Sequence, residues 1–305
     1  MIVRAQYPDL SLTSALPAID EVIFQQFNRR ESQFPKFLNV ESSDRAIEQT
    51  TGLTGLGLFT SINEGGDVRY DDPQATFNKT YTHTQYGLGF KVSRIALDDD
   101  KYGWIRKMSK SLGDSARETT EILAASVLNN GFADTGPDGK VLFATDHPLV
   151  KSGGTGTNKL NPVADLSPAM IELALTDIRQ TKDHSGIKIK LNPAQLVVPA
   201  ELAFAAQVIM GTTLKPGSTN NDVNSLRNPL DGRALTPIVW DYLTDPDAWF
   251  IFCDKEEHDL RFWWREKFNT IHDTETDSRS MKHSGWMRFS YGYQDWFGVY
   301  GSPGA

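Results

Sequence analysis

The sequence is almost without cysteine. Cys253 is the one thiol in 305 residues, which excludes a disulfide framework and any zinc centre built on thiolates. No apolar run approaches the roughly 20 residues needed to span a bilayer. The first residues, Met1 to Pro8, lack a basic segment followed by an apolar core. They do not read as a secretory signal, so the chain is expected to fold in a reducing cytoplasm. Without secretion, the sequon Asn78-Lys79-Thr80 reads as chance. Basic residues are outnumbered: 31 Lys and Arg stand against 39 Asp and Glu, a net charge of −8. A protein whose main work is gripping nucleic acid needs clustered Lys and Arg, so the charge argues against that class, although it does not exclude a small basic patch. Internal repeats are also absent.

What remains is a globular mixture, 39% hydrophobic and 23% charged, which rules out disordered, collagenous and coiled-coil chains. The length suits two ordinary domains or one large, elaborated one.

The first 55 residues or so are thin in core-forming content. Ile19, Ile23 and Phe27 form a helical stripe with Pro17 expected at the first turn. Phe34-Pro35 reads as extended, and residues 41–51 are polar. Two readings stand: a loose terminus, or an arm lying on something else. Leu58 to Ile62 and then Thr76 to Thr84 read as two strands around the turn Asn63-Glu64-Gly65-Gly66-Asp67. Neither face of that hairpin is strongly apolar, so it is marginal alone and its edges invite another chain.

From Lys101 to Asn130 the period changes to that of a helix. Tyr102, Ile105, Met108, Leu112, Ala116, Thr119, Leu123 and Val127 make a one-sided stripe, opened by Asp98, Asp99 and Asp100 and closed by Gly131 as C-cap. Thirty residues would make a rod of roughly 45 Å lying on a sheet. After a glycine-rich loop, Ser167-Pro168 opens a second helix, with Ile171, Leu175 and Ile178 facing inward. Strands are expected at 187–191 and 196–198, a short helix from Pro199 to Met210 capped by Gly211, and strands at 238–240, 249–252, 260–264 and within 286–300. All seven tryptophans except Trp104 lie at or beyond Trp240, so the C-terminal third supplies the bulky core.

Candidate chemistry is sparse. Ser115 in Gly113-Asp114-Ser115-Ala116 could be a nucleophile with His147 as base, but it sits mid-helix and Arg117 replaces the second glycine of a nucleophile elbow. Asp146-His147-Pro148 reads as a loop histidine bonding its own turn. Asp273, Glu275 and Asp277 alternate like calcium ligands but lack the loop's glycine and closing glutamate. His258 with Glu256 and Glu257 lacks zinc-helix spacing. Neither Gly52-Leu53-Thr54-Gly55-Leu56-Gly57 nor the run Gly153 to Lys159 matches a nucleotide loop. Cys253, within an apolar run, reads as an inert core thiol. No catalytic, cofactor-binding or metal-binding residue is therefore expected, and no cofactor.

The order of arm, polar hairpin, long helix, loop, compact α/β unit and closing aromatic sheet resembles the major capsid proteins of tailed bacteriophages, with the Hong Kong 97 fold. Mu-like major head subunits are similar in Tyr81-Thr82-His83-Thr84-Gln85-Tyr86-Gly87-Leu88-Gly89-Phe90 and in Ser115 to Thr119. They are also similar in Asn129-Asn130-Gly131-Phe132, in Leu142 to Pro148 and in Asn228 to Arg233. The resemblance covers residues 55–305 or so.

It implies an α+β fold with an N-terminal arm at 1–52 and an extended E-loop at 53–90. A peripheral domain would hold 91–165 and 256–294, with a spine helix near 98–131, and an axial domain 166–255 and 295–305. The implied function is self-assembly into pentamers and hexamers of an icosahedral shell in the host cytoplasm. That shell would enclose double-stranded DNA without reading its sequence and without a membrane. Portal and decoration proteins would be partners. A fused scaffolding segment is not seen at the N-terminus, so a separate scaffold is expected. Some relatives crosslink a lysine to an asparagine between subunits; Lys79 lies on the hairpin, but nothing marks its partner. Two rival readings are a serine-type hydrolase using Ser115 and His147, and another virion block such as a tail or tube subunit.

Overall fold

The structure is a computed structural model and describes residues 12–93, 95–96, 103–216, 222–227, 233–275 and 280–305. Asp98, Asp99, Asp100, Tyr102, Asp277 and the motif from Asn228 to Gly232 lie outside these residues.

The first helix, α1, runs Leu12–Arg29, so Pro17 lies within it rather than at its first turn. A short 3-10 turn at Phe34–Lys36 leads into β1, Asn39–Ser42. β2, Ile47–Leu53, pairs antiparallel with β3, Ala75–Thr82. The hairpin therefore differs from expectation: residues 58–62 form no strand, and the partner of 75–82 is the polar stretch before them. β2 alternates exposed and half-buried positions, a pattern hidden in sequence because its inward residues are polar. β4 follows at Thr84–Ser93.

The long helix α2 spans Trp104–Asn129, 26 residues and about 39 Å. Gly103, at φ 67°, precedes it in the left-handed conformation that glycine tolerates. Its C-cap is Asn130, not Gly131. Gly131 serves packing instead, since a Cβ there would lie 2.7 Å from the Phe143 ring. Burial is two-sided rather than one-sided. Leu112 and Ala116 face the sheet, while Ser109, Thr120 and Glu121 are also buried. Gly113 marks where α1 crosses α2, because a Cβ would meet the Ile23 carbonyl oxygen at 2.6 Å.

Two short strands, β5 at His147–Pro148 and β6 at Thr155–Gly156, pair with each other. Helix α3, Pro168–Gln180, starts as its sequence dictates: the Ser167 hydroxyl accepts the Met170 amide. Residues 187–191 alternate in burial but form only an isolated bridge, Lys182 to Lys188, for want of a neighbouring strand. β7 (Pro193–Val198), α4 (Ala203–Gly211), β8 (Thr236–Val239) and β9 (Trp249–Cys253) complete the compact unit. The closing hairpin is longer than expected: β10 runs Leu260–Glu275 and β11 Ser280–Tyr293, before β12 at Val299–Ser302.

Two four-stranded sheets organise the body, in orders β1-β10-β11-β4 and β12-β9-β7-β8. β9 joins their cores. Every residue of it is buried, and alternate side chains point to opposite faces of a strand. Phe250 and Phe252 pack with the large cluster of Phe262, Phe289 and Leu128, while Trp249, Ile251 and Cys253 pack with Ile171, Leu196 and Ala206. A sheet covered on both faces accounts for the unbroken apolar run Trp249-Phe250-Ile251-Phe252-Cys253.

Candidate assembly surface

The N-terminal segment lies on its own chain. Phe34, Phe37 and Leu38 are fully buried; Phe34 meets Phe262 at 4.5 Å and Phe37 meets Trp240 at 4.6 Å between ring centroids. β1 adds to β10 in parallel, with Asn39 beside Arg261 and Ser42 beside Trp264. Two side chains of α2 clamp the turn between α1 and β1. Glu121, 2% exposed, accepts the Ser32 hydroxyl at 2.6 Å and the Gln33 and Phe34 amides at 2.7 and 3.2 Å. Arg117 donates to the Phe27 carbonyl at 2.9 and 2.8 Å and lies over the Phe27 ring. Of the two readings of this segment, the arm on something else becomes an arm on its own body.

The loop 54–74 behaves differently. Its base is tied down. The Thr54 amide donates to the Gln74 carbonyl at 2.8 Å, and the Gln74 amide to the Thr54 hydroxyl at 2.9 Å. The Asp71 carboxylate accepts the Lys151 ammonium at 2.8 Å and the Gly57 amide at 2.7 Å, and the lysine bond chiefly holds its pKa below the ordinary value. Ser185 donates to the Gly55 carbonyl at 2.9 Å. Below the base, Tyr81 is buried and its hydroxyl pushed up to about 12 by desolvation. His83, also buried, sits between the Ser43 and Ser290 hydroxyls at 3.1 and 3.0 Å.

Beyond that base the apolar side chains have no cover among the described residues. Phe59 is 107% exposed and Tyr70 91%, and Leu56, Leu58, Ile62 and Val68 are exposed as well. They surround a shallow hollow of about 350 Å³. Six large apolar groups gathered on one loop are far from the scattered single exposures normal on a soluble surface.

The candidate catalytic residues are not assembled. Ser115 is half-buried on α2 and lines a groove with Tyr86, Phe268 and Trp286. His147 is buried elsewhere, stacked on Trp296 at 4.7 Å, with Nδ1 against the Asp138 carboxylate and Nε2 at 3.0 Å from the Asn158 carbonyl oxygen. Both ring nitrogens are occupied, and Asp138 rather than Asp146 orients the ring. Asp146 instead pairs with Lys140, which lowers its pKa. Glu275 pairs with Lys91 and Lys282, and Asp273 lies on the same strand. Among the described residues no set of three His, Cys, Asp or Glu is placed to hold a metal ion. His258 is buried and its pKa pulled to about 4 by desolvation. Burial likewise drives the Cys253 thiol well above its ordinary range, which suppresses the reactive thiolate. Lys79, half-buried beside the Tyr293 ring, has its pKa lowered by desolvation.

The described residues thus combine a two-sheet body with an apolar loop tied down at its base. The family described as phage capsid protein matches residues 77–302, and the chain belongs to that family. It is a phage major capsid protein, a structural component of the virion.

Solved structures share its fold. The procapsid of bacteriophage JBD30 aligns with a TM-score of 0.51 at 17% identity, over 99% of this chain and 76% of that one. The capsid of cyanophage P-SCSP1u aligns at 0.60 and 8% identity, over 90% and 89%. A virus-like particle from Pyrococcus furiosus aligns at 0.53 and 12% identity, over 94% and 99%. At such identities the likeness is one of fold. No curated protein matches the sequence.

Proposed function

We propose that identical copies of this capsid protein build a closed icosahedral shell of the Hong Kong 97 type around the DNA of a tailed phage or prophage. The observation that carries this reading is the uncovered apolar loop on an otherwise well-filled body: a neighbouring copy would bury Leu58, Phe59 and Tyr70. In this reading residues 53–90 are the E-loop and 1–52 the arm. The peripheral domain holds 91–165 and 256–294, and the axial domain 166–255 and 295–305. Mu-like heads are the type resembled. Assembly takes place in the bacterial cytoplasm with scaffold, portal and, in some particles, decoration proteins. The net charge of −8 suits a wall that lines DNA without holding it, since a basic wall would oppose its release.

Negative-stain imaging and sedimentation of the purified protein test the proposal. Wild-type protein forms capsomers or shells, and a variant lacking residues 58–69 remains folded but does not assemble. A compact wild-type monomer under all concentrations and salts would sink the shell; tubes in place of shells would favour the tail-subunit alternative.

A further inference from the structure

The sheet β12-β9-β7-β8 has two ends of unlike charge. β7 and β8 run parallel, with Gln195 beside Thr236 and Val198 beside Val239. Both therefore enter the sheet at one end and leave it at the other. At the entrance lies a groove of about 430 Å³, floored by Leu191, Leu226 and Leu235 and rimmed by Arg179, Lys190 and Arg233. Arg233 is gripped by both oxygens of Asp254, which fixes its guanidinium at the rim and offsets its charge, and Glu257 accepts the Asn192 amide at 2.6 Å on the same wall; three cations against two carboxylates leave the rim net positive. Lys190 is exposed and forms no ion pair among the described residues.

The exit carries the opposite sign. Glu201 follows β7, and Asp241 and Asp247 lie in the connection from β8 to β9. Asp165 sits beside the end of β12, where it accepts the Ala305 amide at 2.9 Å. All four acids are exposed, and none forms an ion pair among the described residues. Lys159, a neighbouring cation, is turned over the Phe132 ring at 5.4 Å. Three residues beyond Glu201, at the start of α4, Phe204 is 80% exposed.

The six residues of β7 hold these ends roughly 20 Å apart in a packed unit, so one copy cannot bring them together. Two copies can. We propose that the basic, apolar-floored groove of one copy receives the acidic exit end of the next, with Phe204 as the aromatic anchor. Aromatic groups seated in pockets with polar rims dominate interface energies. A contact between different patches on identical copies is head-to-tail and generates a ring when the rotation closes. The inference rests on the shell reading and assigns that reading one of its contacts.

Charge reversal and its repair test it. Lys190→Glu with Arg179→Glu, and separately Asp241→Lys with Asp247→Lys, should each lower shell or capsomer yield about tenfold, while thermal melting stays near wild type. The four substitutions together should restore assembly, because the charges are exchanged rather than lost. Phe204→Ser should also lower yield, and wild-type rings should weaken as salt is raised from about 0.1 to 1 M. Wild-type yield from the Lys190→Glu/Arg179→Glu variant overturns the contact. So does a combined variant as defective as either half, which would assign the groove to another occupant such as an acidic segment of a different protein. If wild-type protein itself makes no ring or shell, the shell reading fails first. If it does, either negative result removes this contact alone.

Discussion

Residues 19–53 and residues 54–74 each mix polar stretches with one short patterned run, the helical stripe Ile19, Ile23 and Phe27 in the first and Leu58 to Ile62 in the second. The structure separates them. The first stretch places Ile23, Phe34, Phe37 and Leu38 in the main core, and Glu121 accepts three of its donors. The second ties only its base and leaves its apolar groups in solvent. What distinguishes them is whether a facing surface exists on the same chain. α2 offers the first segment a glycine for close approach and two charged side chains, buried Glu121 and half-buried Arg117, for its turn; nothing among the described residues covers the second. A segment lacking such a surface either stays exposed or is completed by another molecule.

The comparison breaks first if the core under the N-terminal segment is removed. Leu112→Asp buries an unpaired carboxylate at a position 4% exposed. A loss of about 5 kcal/mol or more, enough to leave little folded protein, is expected in circular dichroism and solubility. Leu123, only half-buried, should tolerate the same change far better. A near-normal melt for Leu112→Asp would mean that the α2 face is not core.

Glu121→Ala probes the clamp alone. It strips three donors of one charged acceptor, and hydrogen bonds to charged groups contribute roughly 1.5–3 kcal/mol each. A destabilisation on the order of 4 kcal/mol is expected in urea titrations, with faster amide exchange in residues 27–34 than in β9. Equal exchange in both regions would remove the clamp from the explanation.

Much of the body was legible in the sequence because its signals are local. Ser167-Pro168 reads as a helix start and becomes one, and the apolar run at 249–252 becomes a strand. The errors arose where meaning depends on distant partners. Residues 187–191 carry a strand's alternation without a strand beside them. β2 had no apolar alternation to betray it. The polar groups on the second side of α2 looked solvated, yet Thr120 and Glu121 are buried because α1 and its turn supply their partners. The assembly surface is visible in sequence only as a hairpin unable to cover itself, and three of its exposed apolar groups, Leu58, Phe59 and Ile62, fall in a run whose pattern reads as a strand.

A smaller effect separates the body by pH. His258 has its pKa drawn from 6.5 to about 4 by burial, so between those values the unfolded chain binds a proton that the folded chain refuses. Its contribution is complete above pH 6.5 and is lost as pH falls towards 4, up to about 3 kcal/mol at 1.36 kcal/mol per pH unit. Chemical denaturation at pH 7.5 and 4.5 should show this loss. His258→Asn, which does not titrate, should flatten that part of the profile; an unchanged slope would assign the dependence to other groups.

The smallest expected change in stability is also the sharpest test of the contrast. Phe59→Ser with Tyr70→Ser alters side chains that are 107% and 91% exposed. Surface substitutions of this kind stay within about 0.5 kcal/mol, so melting should barely move. If anything it should improve solubility, because apolar surface is replaced by polar. Shell yield should fall severely, since a neighbour would lose the aromatic groups it covers. Loss of stability comparable to Glu121→Ala would show that the loop packs on its own body after all, and the distinction between the two segments would vanish. Unchanged stability with unchanged assembly would leave the distinction intact but deny it a purpose at these two residues, and the contact would have to be sought at Leu56, Leu58 and Val68 instead.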